Sequence, residues 1–280
     1  MERVLTIAGA AAQGSAGIQA DLKTFQERNV YGMSAITATV TNQSRTEKKI
    51  FLRTIEEIEA QLYTAVEKVG IDAIKTGMLF STTIIERVVT FIARNKSPPY
   101  LVVDPVMIGK MGSQLLADDA IEVLKKQLIP LATIITPNRL EAARLLNKKI
   151  PETVEELKAY AVQLHELGGS YVFVKGGKME GKAVDVLYDG ESCHIYETEF
   201  VDTIHTSGAG CSFAACLTAE LAKGVEIRDA IEISKSYVYY AIKHSLSFGK
   251  GGWAPFNQQP TACFIILVNK GSGGGVIIII

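Results

Sequence analysis

Short apolar, β-branched runs recur along the chain: VLTIA at residues 4–8, SAITATV at 34–40, YLVV at 100–103, TIIT at 133–136 and YVFV at 171–174. Each is bounded by turn-forming residues and predicts a strand. Between them, residues 54–69, 82–93, 118–127 and 151–167 place apolar positions at helical spacing and predict helices. Strands that are apolar throughout rather than alternating, and that take turns with helices, indicate a parallel sheet covered on both faces. The expected fold is therefore a doubly wound, mostly parallel α/β sheet.

The pattern changes at residues 183–200, where two strands flank Asp189-Gly190, a type I′ hairpin signal. Two long helices are then expected near 209–223 and 227–245. No Pro- or Ser-rich linker divides the chain, so residues 1–257 read as one domain, followed by a tail at 258–280. Within that tail, Lys270-Gly-Ser-Gly-Gly-Gly275 reads as a flexible linker and Val276-Ile-Ile-Ile-Ile280 as an aggregation-prone strand, and both are set aside from the functional reading. Gly249-Lys-Gly-Gly252, before Trp253, reads as a loop.

Composition narrows the possible partners. The chain has 280 residues, 48% apolar and 21% charged, with 29 Lys plus Arg against 30 Asp plus Glu. That balance provides no net field to recruit nucleic acid or an anionic membrane, so an anion has to be held locally. Cys193, Cys211, Cys216 and Cys263 form no CxxC pair, and His165, His194, His205 and His244 show no metal-ligand spacing. A reducing cytoplasm is the expected compartment, and no apolar run reaches the ~18 residues of a membrane span.

In an open parallel sheet, ligands bind beyond the carboxyl ends of the strands. Asp104, Asn138 within Thr136-Pro-Asn138, and Lys175 before Gly176-Gly177 all fall at such ends. HTSGAGCSFAAC, residues 205–216, sets Gly208 and Gly210 just before a helix. Glycines there let backbone N–H groups turn inward, and the helix dipole adds positive potential, so the segment suits an anion. A phosphoryl group leaving ATP spreads charge over its equatorial oxygens and needs such a hole. Cys211, at the same helix end, is expected to have a lowered thiol pKa if partly exposed, and so to serve as a base.

Two nucleotide motifs fail. Residues 176–183, GGKMEGKA, approach GxxxxGK[ST], but Ala183 cannot ligate magnesium and the residues that follow read as a strand. Gly208-Ala-Gly210 lacks the third glycine of GxGxxG. The loop at residues 9–17, GAAAQGSAG, enters a helix through small residues that allow a flat ligand to approach closely.

Taken together, Gly9 with Gly17-Ile-Gln-Ala-Asp-Leu-Lys-Thr-Phe25, Tyr31-Gly-Met33, Lys75-Thr-Gly-Met-Leu79, Asp104-Pro-Val-Met107, Thr136-Pro-Asn138 with Glu141-Ala142, Val174-Lys-Gly-Gly177 and Gly208-Ala-Gly-Cys211 resemble the hydroxymethylpyrimidine/phosphomethylpyrimidine kinases. These belong to the ribokinase-like superfamily, beside the bacterial pyridoxal kinases. The resemblance covers roughly residues 3–250. It implies a ribokinase-like fold, a homodimer, and transfer of the γ-phosphate of ATP to a hydroxymethyl group on a heteroaromatic ring.

By carry-over, Gly208, Ala209 and Gly210 form the anion hole, Cys211 accepts the hydroxyl proton and Lys175 meets the ATP phosphates. Asn138 and Glu141, with Asp104, organise magnesium, the metal-binding carboxylates being Asp104 and Glu141. Gly9, Asp21 and Asn42 adjoin the ring substituents, with Met78 and Val106 against its faces. The chain departs from the family at Gly9-Ala10-Ala11-Ala12, where Gly-Ser-Asp-Ser is usual, and at Ser207, where His is usual. The polar Asn42 favours the thiamine pyrimidine as acceptor. The alternatives are pyridoxal, which Cys211 or Lys110 could trap as an aldehyde, and a vitamin-binding protein that has lost turnover.

Overall fold

A computed structural model describes residues 1–41, 45, 49–95, 100–109 and 114–246. Asn42, Lys110, Trp253 and the tail lie outside the described residues. The order is β1 (Arg3–Ala11), α1 (Gly17–Glu27), β2 (Tyr31–Val40), β3 (Ile50–Leu52), α2 (Ile55–Lys68), β4 (Ala73–Thr76), α3 (Thr82–Arg94), β5 (Tyr100–Val103) and α4 (Asp118–Val123). It continues with β6 (Ile134–Ile135), α5 (Arg139–Leu146), α6 (Val154–His165), β7 (Tyr171–Met179), β8 (Lys182–Tyr188), β9 (Cys193–Glu199), α7 (Ala209–Ala222) and α8 (Ile227–Lys243).

These strands form one sheet in the order β3-β2-β1-β4-β5-β6-β7-β8-β9. The run from β2 to β7 is parallel, whereas β3, β8 and β9 pair antiparallel at the edges. The doubly wound, mostly parallel sheet expected from the pattern is present. Chain direction across the sheet reverses between β1 and β4, which makes the carboxyl ends of those strands the topological switch point.

The strand residues sort by parity into two faces. Leu5, Ile7, Leu101 and Val103 pack with Ile58 and Leu62 of α2, Ile84, Ile85 and Val88 of α3, and Leu157 of α6. Their neighbours point the other way: Val102 and Phe173 meet Phe213 and Leu217 of α7, and Val4 meets Phe25 of α1 with Ala215 and Ala219. Phe173 stacks on Phe213 at 4.7 Å between centroids, a contact worth ~0.5–1.5 kcal/mol beyond its buried area.

α7 is buried from Ser212 to Leu221. A helix apolar on all sides belongs in a core, and its alanines allow close approach to the sheet and to α1 and α8. Its one buried acid, Glu220, is neutralised by Arg28 at 2.7 Å and Lys223 at 2.8 Å.

Two local expectations change. The loop after β8 is not a two-residue type I′ turn: it runs over Asp189 to Ser192, with Asp189 Oδ1 accepting from the N–H groups of Glu191 and Ser192. The tight hairpin lies one strand earlier, between β7 and β8, where Glu180 (φ 49°) and Gly181 (φ 83°) both have positive φ, as the primed turns require. That hairpin occupies the false phosphate loop. Residues 118–127 form a single helical stretch, but its second half, Leu124–Leu128, widens into a π-turn before Pro130.

Candidate active site

The polar strand ends converge as the sheet topology requires. Asp104 follows β5, Asn138 follows β6, and Lys175 sits within β7 where it bridges to Asn138. Asp104 is buried, its Oδ1 accepting from Lys175 Nζ at 3.0 Å and from Thr136 Oγ1 at 3.3 Å. Asn138 caps α5: its Oδ1 accepts from the N–H groups of Leu140 and Glu141, and Glu141 Oε2 accepts in return from the Asn138 N–H at 2.9 Å. This reciprocal capping box fixes both side chains.

Burial pushes the Glu141 carboxyl up to about 7, opposed by Lys175 and reinforced by Asp104. Lys175 is held above its usual value: burial lowers it, but Asp104 and Glu141 outweigh that effect. The result is two crowded carboxylates sharing one ammonium group.

That ammonium points at the start of α7. A Cβ added to Gly210 would lie 3.3 Å from Lys175 Nζ. Gly208 is the N-cap, with φ +90°, and no side chain caps the helix. The Ala209 N–H turns back onto the Thr206 carbonyl at 3.2 Å, which leaves the Gly210 and Cys211 amides at the open helix end. A cavity of about 850 Å³ lies over this end. It unites Asn138, Glu141, Lys175, Gly208, Ala209 and Gly210, and runs outward between the β9–α7 connection and α8.

Gly208 is also a packing residue, since a Cβ there would meet the Ser15 carbonyl oxygen at 1.7 Å. The β1–α1 loop is thus pressed against the α7 N-terminus. Ser15 Oγ lies 3.1 Å from Ser207 Oγ, and the Gly17 N–H reaches Cys211 Sγ at 3.4 Å.

Of the residues expected around the ring, Gly9 and Met78 meet on this other side, at the switch point. Gly9 at the end of β1 abuts Met78 after β4, whose sulfur would lie 2.9 Å from a Cβ at Gly9. Val106, half-buried, follows β5 with its N–H on the Asp104 carbonyl.

Two expectations need correction here. Asp21 is fully buried and already engaged: Lys75 Nζ donates to both of its oxygens at 2.8 Å and Thr6 Oγ1 donates at 2.6 Å. With three hydrogen bonds on it and no exposed surface, Asp21 in this structure supports the floor of the site rather than offering itself to a ring. Cys211 is not activated either. Burial raises its thiol to about 11, against the opposing pull of Lys75, so the helix end does not deliver a thiolate here.

Several residues at the site carried no sequence assignment. Lys75 stood inside a quoted motif without a role; the signal was a lysine within a short apolar strand, a place that demands a buried partner. Asp185 and Lys235 line the cavity wall as an ion pair. Val238, Tyr239 and Ile242 of α8 form its apolar outer side. Their only sequence signal was the amphipathic period of α8.

A family model described as phosphomethylpyrimidine kinase matches residues 12–257. A pyridoxine kinase of Bacillus subtilis (strain 168) is 46% identical over 279 residues, covering 97% of this chain and 99% of the relative. A hydroxymethylpyrimidine/phosphomethylpyrimidine kinase of the same organism is 40% identical over 254 residues, covering 89% and 92%. Among solved structures, an ADP complex of Bacillus subtilis pyridoxal kinase superposes with a TM-score of 0.87 at 43% identity, covering 93% of this chain and 98% of the other.

Proposed function

The chain belongs to the phosphomethylpyrimidine kinase family and is a phosphotransferase acting on an alcohol group, and on that premise we propose that it transfers the γ-phosphate of ATP to the hydroxymethyl group of a vitamin B6 ring, pyridoxine or pyridoxal. The observation that carries the phosphoryl-transfer part is Lys175, its ammonium set against the uncapped start of α7 at the inner end of the cavity. Choice of the ring rests on the two Bacillus subtilis relatives, of which the pyridoxine kinase matches more of both chains at higher identity. The pyrimidine reading keeps the support of the family model and of the polar Asn42.

The residues present fit a magnesium ion. Asp104 and Glu141 are hard oxygen donors flanking Lys175, and the Glu141 carboxyl, raised first by burial and further by Asp104, would be stabilised as a carboxylate by a cation. No three metal-ligating side chains converge among the described residues, so the remaining ligands would be phosphate oxygens and water, as is usual for magnesium at phosphate sites. When bound, the ion neutralises phosphate charge.

The chain's own groups then divide the work. Lys175 and the amides at the α7 N-terminus hold the phosphoryl oxygens, while Gly9, Met78 and Val106 shape the space for the ring. Cys211 lies between the two and can accept the hydroxyl proton only in its thiolate form. Because its sulfur is protonated at neutral pH, that form is scarce, and positioning and electrostatic stabilisation carry most of the rate, as a loose phosphoryl-transfer transition state permits. We place the reaction in the reducing cytoplasm, carried out by a homodimer; a light-scattering mass near the 30.3 kDa chain would contradict the dimer.

The test is ADP release from Mg-ATP with pyridoxine, pyridoxal and 4-amino-5-hydroxymethyl-2-methylpyrimidine as acceptors. Higher kcat/KM with a B6 alcohol is expected. Preference for the pyrimidine would reassign the substrate. Ligand-induced thermal stabilisation without ADP release would instead indicate a binding protein altered at Ala10–Ala12 and Ser207.

A further inference from the structure

β7 carries a bulge at the residue after Lys175. Lys175 pairs with Asp185 of β8, and the next paired residue, Gly177, faces Val184, which leaves Gly176 without a partner residue in the ladder. Side-chain parity shows the consequence. Val172 and Val174 face the α6 layer, and a Cβ on Gly176 would strike Leu157 of α6 at 2.7 Å. Beyond the bulge it is Met179, with the opposite parity, that enters the same core. The inserted residue lets β7 keep both ends in that core while Lys175 points across the sheet to α7.

A bulge leaves a buried amide in need of an acceptor. Here the Gly176 N–H donates to Asp185 Oδ1 at 3.0 Å. The other oxygen, Oδ2, accepts from Lys235 Nζ at 2.5 Å, and Lys235 also donates to the Ala183 carbonyl at 3.2 Å. On its other flank, the Lys175 N–H is held by the Pro137 carbonyl at 2.8 Å. Lys235 belongs to α8, so one ion pair ties that helix to the β7 bulge.

We propose that Asp185, charge-balanced by Lys235, is a positioning residue for phosphoryl transfer: its carboxylate substitutes for the missing ladder acceptor at Gly176 and thereby fixes the direction of Lys175. The inference rests on the role given to Lys175 under the proposed function. It also explains why Gly176-Gly177, which mimicked a phosphate loop, lies beside the phosphate end without being one.

Two double variants isolate the hydrogen bond from the charge. Asp185→Asn with Lys235→Met keeps a carbonyl acceptor for Gly176, whereas Asp185→Ala with Lys235→Met removes it, and neither leaves a buried charge unpaired. The Ala pair is expected to show kcat/KM for ATP about 10²-fold below the Asn pair, the scale of a misplaced catalytic group, with equal KM for the acceptor alcohol. Equal ATP kinetics in the two would overturn the proposal. Lys175→Met separates the two levels: if ATP turnover survives it, the role of Lys175 fails first. Should the Ala pair not fold, amide hydrogen exchange decides on the wild-type protein. Protection at Gly176 is expected, and exchange at the rate of a free amide would refute the bond.

Discussion

At the scale of single residues, Cys211 is where expectation and structure part most clearly. A cysteine at a helix N-terminus ordinarily ionises easily. Here burial dominates, the nearby Asp21 and Asp104 add to it, and Lys75 with the Gly17 N–H only partly offsets them, leaving the thiol near 11. Burial is a property of the assembled fold, so no local motif could have revealed it. Asp21 teaches the same lesson, since its partners Thr6 and Lys75 arrive from β1 and β4. The alkylation rate of Cys211 by iodoacetamide, taken as the difference between wild type and Cys211→Ala, should therefore be low at pH 7.5 and keep rising tenfold per pH unit through pH 9 to 10. A rate that levels off below pH 8 would restore the activated thiolate. Because the sulfur is a thiol at neutral pH, Cys211→Ala should slow turnover at pH 7.5 by less than the ~10²–10⁴-fold of a general base, and a loss within that range would restore the sulfur as the proton acceptor.

Elements were legible where they bury two faces or carry a cap, and illegible where pairing is remote. α2 begins where Thr54 and Glu57 make a capping box, and α3 and α6 begin at simple N-caps, Ser81 accepting from the Ile84 N–H and Thr153 from the Glu156 N–H. The hairpin after β8 was placed correctly but given the wrong turn, because Asp189 does not take the left-handed backbone of a type I′ turn, which only Gly190 adopts in this loop, and instead organises the loop with its side chain. Its carboxylate is held well below the usual range, first by the Ser192 N–H, then by Glu191, His194 and Arg228, against the cost of burial. Arg228 reaches it from the start of α8 at 2.7 Å, so one side chain organises the loop and docks it to a helix. A carboxyl whose folded pKa is depressed stabilises the fold above its unfolded pKa near 3.9, and that stabilisation fades as pH falls through the folded value. The stability gap between wild type and Asp189→Asn, followed by urea denaturation, should be constant from pH 6 to 8 and shrink steadily below pH 4. A gap that widens on acidification would contradict the assignment.

Across the whole molecule, the site exists because two distant parts of the chain are pressed together over the switch point. The alternation of apolar strands with helices was enough to place the site beyond the carboxyl ends of the strands, whereas its position at the switch point follows from the strand order, which only the fold reveals. What could not be foreseen is how the halves close. The small-residue loop of 9–17 and the turn before α7 are 193 residues apart from Ser15 to Gly208, yet the Ser15 carbonyl occupies the space where a Cβ at 208 would stand, and the Gly17 N–H reaches the sulfur of Cys211. Gly208 therefore serves two demands at once: φ +90° for the turn, and absence of a side chain for the closure. Gly208→Ala should cost ~1–2 kcal/mol for the left-handed backbone alone, and more for the 1.7 Å approach, which only movement of the β1–α1 loop can relieve. That movement carries the Gly17 N–H away from Cys211 and disturbs the loop beside Gly9, while the Asp104, Glu141 and Lys175 end stays in place. The expected result is a lowered melting temperature, a strongly raised KM for the acceptor alcohol and a nearly unchanged affinity for the nucleotide, read by calorimetric titration with ADP. Equal losses at both ends would mean that the α7 turn itself had collapsed and that the two halves are not separable.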